Sequence, residues 1–121
     1  MFKIINKTFH VSRGDSGVIN LSLKNTNFNV GDKVFFRIYE VQGLDSLPIK
    51  EVSTTVSEEN NAVAIVLNAE DTNFGELENT VVDYWYEISV GEDRTILGFD
   101  EGGAKLFKLY PTGATSADIV D

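Results

Sequence analysis

The single histidine, His10, and the absence of cysteine narrow the chemistry open to this chain. A transition-metal site, or a Ser-His or Cys-His nucleophile, would have to rest on His10. No Gly-x-Ser-x-Gly elbow, Gly-rich phosphate loop or His-rich metal motif accompanies it, so His10 reads as an ordinary strand histidine. Carboxylates are more plentiful. Glu70, Asp71, Glu76, Glu78 and Asp83 lie close together in sequence, as do Glu92, Asp93, Asp100 and Glu101. Two facing carboxylates can hydrolyse a glycoside, and several oxygens can hold calcium. The spacing of an EF-hand is missing, however, and acidic clusters in an acidic chain are ordinarily solvated loops. The expectation is therefore a protein that is not an enzyme and carries no metal or other cofactor. Arg13-Gly14-Asp15 spells the tripeptide that integrin ligands display. Glycine and aspartate are also what a turn between strands requires, and a turn is the reading adopted here.

Phe35, Tyr39 and Trp85 carry more information. Strict alternation places each on the face opposite the most consistent apolar row of its own strand. If the segments 33–41 and 82–90 are neighbours in one sheet, these rings form a patch, with Arg37 between two of them and able to stack there or pair with Glu87. The candidate interface is thus Phe35, Arg37, Tyr39, Trp85 and Glu87. An exposed apolar patch usually marks an interface. The alternatives are that a loop or the tail covers the rings, or that Trp85 is a core residue and the register is reversed.

The segments that must hold these residues read as strands almost throughout. Short runs of β-branched and aromatic residues alternate in polarity and are separated by Gly, Asn and Asp clusters. Residues 2–5 and 8–11 form a first run. In 18–23 the row Ile19, Leu21, Leu23 opposes Asn20 and Ser22. In 33–41 the row Val34, Phe36, Ile38 faces one way. Residues 49–56 are polar enough for a sheet edge. Val63, Ile65 and Leu67 point inward from 62–67, and one helical turn is expected over 70–74. Val82, Tyr84, Tyr86, Ile88 and Val90 form the next apolar row. A tight turn at 91–93 leads to 94–99, where Thr95, Leu97 and Phe99 alternate, and 105–110 closes the fold. Residues 25–31 read as a polar connection.

Seven or eight short strands with turns every 8–12 residues or so indicate a sandwich or barrel. The predicted fold is all-β, an immunoglobulin-like β-sandwich of seven to eight antiparallel strands. Its 121 residues suit one domain, read as 1–110, followed by a flexible acidic tail over 111–121. The formal charge of −9 argues against nucleic acid as a partner, since phosphates repel such a surface. No run approaches the roughly 20 apolar residues of a membrane span, and residues 1–5 lack the core of a signal peptide. No membrane partner is expected.

The order of these features resembles the N-terminal domain of bacteriophage baseplate upper proteins. The residues that carry the resemblance begin with Arg13-Gly14-Asp15 before the alternating strand Val18-Ile19-Asn20-Leu21-Ser22-Leu23. Val34-Phe35-Phe36-Arg37-Ile38-Tyr39 follows, then Ala64-Ile65-Val66-Leu67 with Ala69-Glu70-Asp71-Thr72. Asp83-Tyr84-Trp85-Tyr86-Glu87-Ile88, Arg94-Thr95-Ile96-Leu97-Gly98-Phe99 and the end Tyr110-Pro111-Thr112-Gly113 complete it. Together they span roughly residues 8–113, each piece short and degenerate. Family members commonly continue into a coiled or fibrous part that binds the host receptor, whereas this sequence stops soon after the sandwich. The resemblance implies a phage virion structural protein, a baseplate, tail or fibre accessory module assembled in the host bacterial cytoplasm. Its expected partners are other virion proteins and further copies of itself, a trimer among the forms implied. The alternative is a bacterial cell-surface adhesion or carbohydrate-binding immunoglobulin-like module, with Trp85, Tyr39 and Tyr86 stacking on sugar rings.

Overall fold

The computed structural model describes residues 1–41, 47–77, 79–92, 94–97 and 106–111. The chain is all-β, with nine strands among the described residues: β1 (Phe2–Ile5), β2 (Thr8–Ser12), β3 (Gly17–Ser22), β4 (Lys33–Tyr39), β5 (Lys50–Thr55), β6 (Ala62–Leu67), β7 (Val82–Val90), β8 (Arg94–Leu97) and β9 (Leu106–Tyr110). The expected helical turn is a short 3₁₀ segment, Ala69–Thr72, between β6 and β7. It opens with the Asp71 carboxylate accepting the Asn68 N–H at 2.8 Å.

Seven strands form one sheet in the order β1-β2-β9-β7-β4-β5, with β8 also paired to β7, while β3 and β6 form a second, two-stranded sheet. The alternating rows explain why the two sheets meet. Val34, Phe36 and Ile38 from β4 are buried with Tyr84, Tyr86 and Ile88 from β7, and Ile19, Ile65 and Leu67 cover them from the small sheet. Phe9, Phe36, Tyr86 and Phe107 form the aromatic centre, with ring centroids 4.8–6.1 Å apart, within the range where offset and edge-on rings attract. β5 lies at the edge of the large sheet, as its polar alternation predicts.

Four sequence expectations need correction. The large sheet is mixed, because β2 runs parallel to β9 from Phe9↔Phe107 to Ser12↔Tyr110. Local alternation shows that a segment is a strand but not which strand lies beside it, so an all-antiparallel sandwich was the wrong inference. The strand number exceeds eight because the first run is a hairpin. Asn6 and Lys7 both have positive φ, 50° and 65°, the signature of a two-residue type I′ loop, and β1 folds back on β2 with Phe2 opposite Val11. The segment 25–31 is more than a polar connection. Phe28 is fully buried and bridges to Asn60. In β8, Ile96 packs against the core and Thr95 is exposed, while the side chains of Arg94 and Leu97 lie outside the described residues. A bulge opposite Ile88 and Ser89 shifts the register there. Lys105, Phe99 and the residues 112–121 of the expected tail lie outside the described residues.

Candidate interaction site on the outer face of the large sheet

β4 and β7 are adjacent and antiparallel, with Phe35 opposite Ser89, Arg37 opposite Glu87 and Tyr39 opposite Trp85. Directly opposed residues share a face of the sheet, so all five candidate interface residues lie together on the side away from the small sheet. The buried row Tyr84, Tyr86, Ile88 fixes this register, and Trp85 is on the outer side. Leu106 of β9 lies opposite Trp85 on its other flank. Leu106, Trp85 and Tyr39 therefore form one row across three strands.

The rings do not form an open apolar patch. Phe35 and Tyr39 are buried, at 8% and 6% exposure, and only Trp85 is partly exposed. Among the described residues, part of the cover comes from basic side chains of β4 itself. The Arg37 guanidinium lies over the Phe35 ring at 4.2 Å from its centroid, and the Lys33 ammonium stands 5.5 Å from the same centroid, both within cation–π range. Arg37 is held in place by a fan of oxygens. Its Nε donates to Glu51 Oε2 at 2.7 Å, one terminal nitrogen to Ser89 Oγ at 3.2 Å and the other to Glu92 Oε1 at 3.2 Å. Desolvation works against the Arg37 charge, but the Glu51 hydrogen bond and the charges of Glu51 and Glu92 outweigh it, so its pKa is raised.

Of the two options for Arg37, stacking is observed, and its ionic partners are Glu51 and Glu92. Glu87 serves Tyr39 instead, accepting the phenol hydroxyl at 2.8 Å. Burial, then this hydrogen bond and the Glu87 charge, raise the Tyr39 pKa well above its ordinary value. The sequence reading missed Glu51 and Glu92. Glu51 is legible only once β5 is paired to β4, which sets it opposite Arg37.

The other sequence candidates are placed as follows. His10 lies on the same outer face and its Nδ1 is 2.9 Å from the Tyr110 hydroxyl. Asp83 accepts from Lys108 Nζ at 2.9 Å, and Asp71 pairs with Lys50 at 3.1 Å. Among the described residues no three His, Asp or Glu side chains converge to hold a metal ion. Glu78, Asp93, Asp100 and Glu101 lie outside them. Also among the described residues, no helix is long and apolar enough to cross a membrane.

Arg13-Gly14-Asp15 is a turn. The Asp15 N–H donates to the Ser12 carbonyl at 3.0 Å, and Gly14 takes φ 86° at the third position, where a side chain would be strained. Arg13 is buried and is not displayed. It donates to the Phe74 carbonyl at 2.7 Å, the Glu76 carbonyl at 2.8 Å and Asn73 Oδ1 at 3.2 Å. Thr72 closes the clip, its hydroxyl donating to the Asp15 carbonyl at 2.8 Å.

No protein-family model, curated protein or solved structure matches the chain.

Proposed function

We propose that this chain is a structural module of a bacteriophage particle, a baseplate, tail or fibre accessory domain assembled in the bacterial cytoplasm, which works by binding other virion proteins and copies of itself. In this reading its two sheets are an immunoglobulin-like sandwich, between whose layers the chain crosses four times. The observation that carries the proposal is Trp85, partly exposed on the outer face of the seven-stranded sheet, between Leu106 and Tyr39 and beside the Arg37 network. Tryptophan, tyrosine and arginine dominate the energetically important centres of interfaces. Here Arg37 and Tyr39 are already fixed by their partners, so little side-chain freedom would be lost on association. The resemblance of the sequence to baseplate upper proteins gives the proposal its biological setting.

The test is the solution mass by light scattering of the full chain beside Trp85→Ala. A closed oligomer that the variant dissolves, with an unchanged unfolding midpoint, is the expected result. A monomer in both would remove this face as a self-association surface. An antibody against the chain should also label phage particles released from the encoding bacterium. Unlabelled particles would count against the virion assignment.

Trp85 also favours a second reading. Its ring lies between the Tyr39–Glu87 hydrogen bond and the Asp83–Lys108 ion pair, a setting in which a sugar could stack and hydrogen-bond. Glycan binding by a monomer, lost in Trp85→Ala, would favour a carbohydrate-binding module over the assembly reading.

A further inference from the structure

Strand β3 has one open edge. Leu23 and Asn61 face each other just beyond the paired residues of β3 and β6, and the Leu23 N–H donates to the Asn61 carbonyl at 2.8 Å. Bonded positions alternate in an antiparallel pair. Gly17, Ile19 and Leu21 therefore bond to β6, while the N–H and C=O groups of Val18, Asn20 and Ser22 point the other way. Among the described residues no backbone group pairs with them. β6 lies against β5 and the start of β3 lies over the Phe2 ring, so the open edge is turned toward β1. The cover of the large sheet runs short on that side. Ile4 stands opposite Phe9 and so faces inward, yet it is 43% exposed.

β3 has no lysine, proline or bulge, the features that ordinarily keep an edge from pairing. The outermost strands of the large sheet, β1 and β5, carry Lys3 and Lys50. The exposed face beside the open edge is also uncharged. Val18 opposes Val66, Asn20 opposes Ala64 and Ser22 opposes Ala62, with the two valines 45% and 54% exposed. On a chain of charge −9, a second copy meets little repulsion here. The strand also complements itself. A two-fold axis through Asn20 sets Val18 of each copy opposite Ser22 of the other, so that outward-directed groups meet in about six backbone hydrogen bonds. Asn20 then faces its own counterpart, and an amide that both donates and accepts can satisfy an identical one. Lys24 is exposed and has no ionic partner among the described residues. The same axis brings it opposite Ser16 of the other copy, within a lysine's reach of Asp15, whose carboxylate holds the N-terminal ammonium but is 46% exposed.

We propose that β3 is a pairing edge for a second copy of this chain, the two small sheets joining antiparallel into one four-stranded sheet with Asn20 on the two-fold axis. The contact is separate from the Trp85 face and does not depend on it. Because two paired strands make a small interface, this contact forms at higher concentration.

The test is light scattering and amide hydrogen exchange on the full chain carrying Trp85→Ala, which removes the other proposed contact. A dimer should form as concentration rises, with protection gained at Val18, Asn20 and Ser22, whose N–H groups β6 does not bond. Asn20→Lys and, separately, Asn20→Asp change an exposed side chain and keep every bond to β6. Each should weaken the dimer by about fivefold, since like charges then face each other across the axis. An equimolar mixture of the two variants should restore the dimer, which a misfolded variant would not do. A monomer at every concentration would overturn the proposal. Unprotected amides at the three positions would then mean an edge that takes no copy, and protected ones an edge that the chain covers itself. A dimer indifferent to both substitutions, or variants that do not recover on mixing, would overturn it as well.

Discussion

Arg13 gives its guanidinium to two carbonyls and one amide oxygen and, among the described residues, to no carboxylate, whereas Arg37 sits among carboxylates on an aromatic ring. Removing the first strands buried acceptors. Arg13→Ala should cost about 2–4 kcal/mol, since each buried group left without a partner costs about 1–3 kcal/mol. Arg13→Lys, which lacks the planar fork, should recover only part of it. Urea midpoints of the three proteins measure this, and an Arg13→Ala midpoint equal to wild type would show the clip to be dispensable. Tyr39 makes a different prediction. Its pKa is raised in the fold, so above the ordinary phenol pKa of 10.0 the unfolded chain releases a proton that the native chain keeps. Its stabilisation is present below that pH and is lost as pH rises past it. In a spectrophotometric alkaline titration Tyr39 should ionise late, and Tyr39→Phe should remove that late step. At this scale alternation made the Arg37 neighbourhood legible, because its members recur at every second position of two strands. The role of Arg13 was hidden, because its principal acceptors are backbone carbonyls more than sixty residues away, and a carbonyl leaves no mark in the sequence.

Among the elements, β1 is the least secured. It is a four-residue edge strand whose residues after Phe2 are exposed. Phe2 anchors it, set edge-on to Phe9 with centroids 6.2 Å apart. The N-terminal ammonium adds an ion pair with Asp15. The Phe2 ring lies so close over Gly17 that a Cβ there would fall 2.3 Å from it. Gly17→Val should therefore push Phe2 out and release β1 while the β4–β7 pair keeps its hydrogen bonds. Hydrogen exchange should show lost protection at residues 3–5 and none at 34–39. Preserved protection in both places would mean that Phe2 repacks without cost. The strands whose apolar rows alternate strictly, β3, β4, β6 and β7, were readable from sequence together with their inward faces. Phe28 was not, since one aromatic in a polar stretch has no period. The parallel partnership of β2 and β9 was not either, because it joins segments about a hundred residues apart whose own patterns are silent about neighbours.

For the whole molecule, the charge of −9 opposes the assembly proposed for the Trp85 face. Raising salt from about 0.01 M to about 0.1 M shortens the screening length from about 30 Å to about 10 Å. Self-association read by light scattering should therefore tighten over that range. Weakening would mean that ion pairs between copies, such as those Arg37 could make, outweigh the general repulsion. The position of β2 between β1 and β9 has a mechanical consequence. The Ser12 N–H bonds the Met1 carbonyl and the Arg13 N–H bonds the Tyr110 carbonyl, so Met1 and Tyr110 lie at the same end of the sheet. Tension applied between them would unzip β1 from β2 one hydrogen bond at a time, at low force. Once β1 was straightened, the pull would enter β2 at Thr8 and leave β9 at Tyr110, at opposite ends of a parallel pair. The bonds between those strands would then be loaded together in shear, and the fold would yield a short length of chain before it locked.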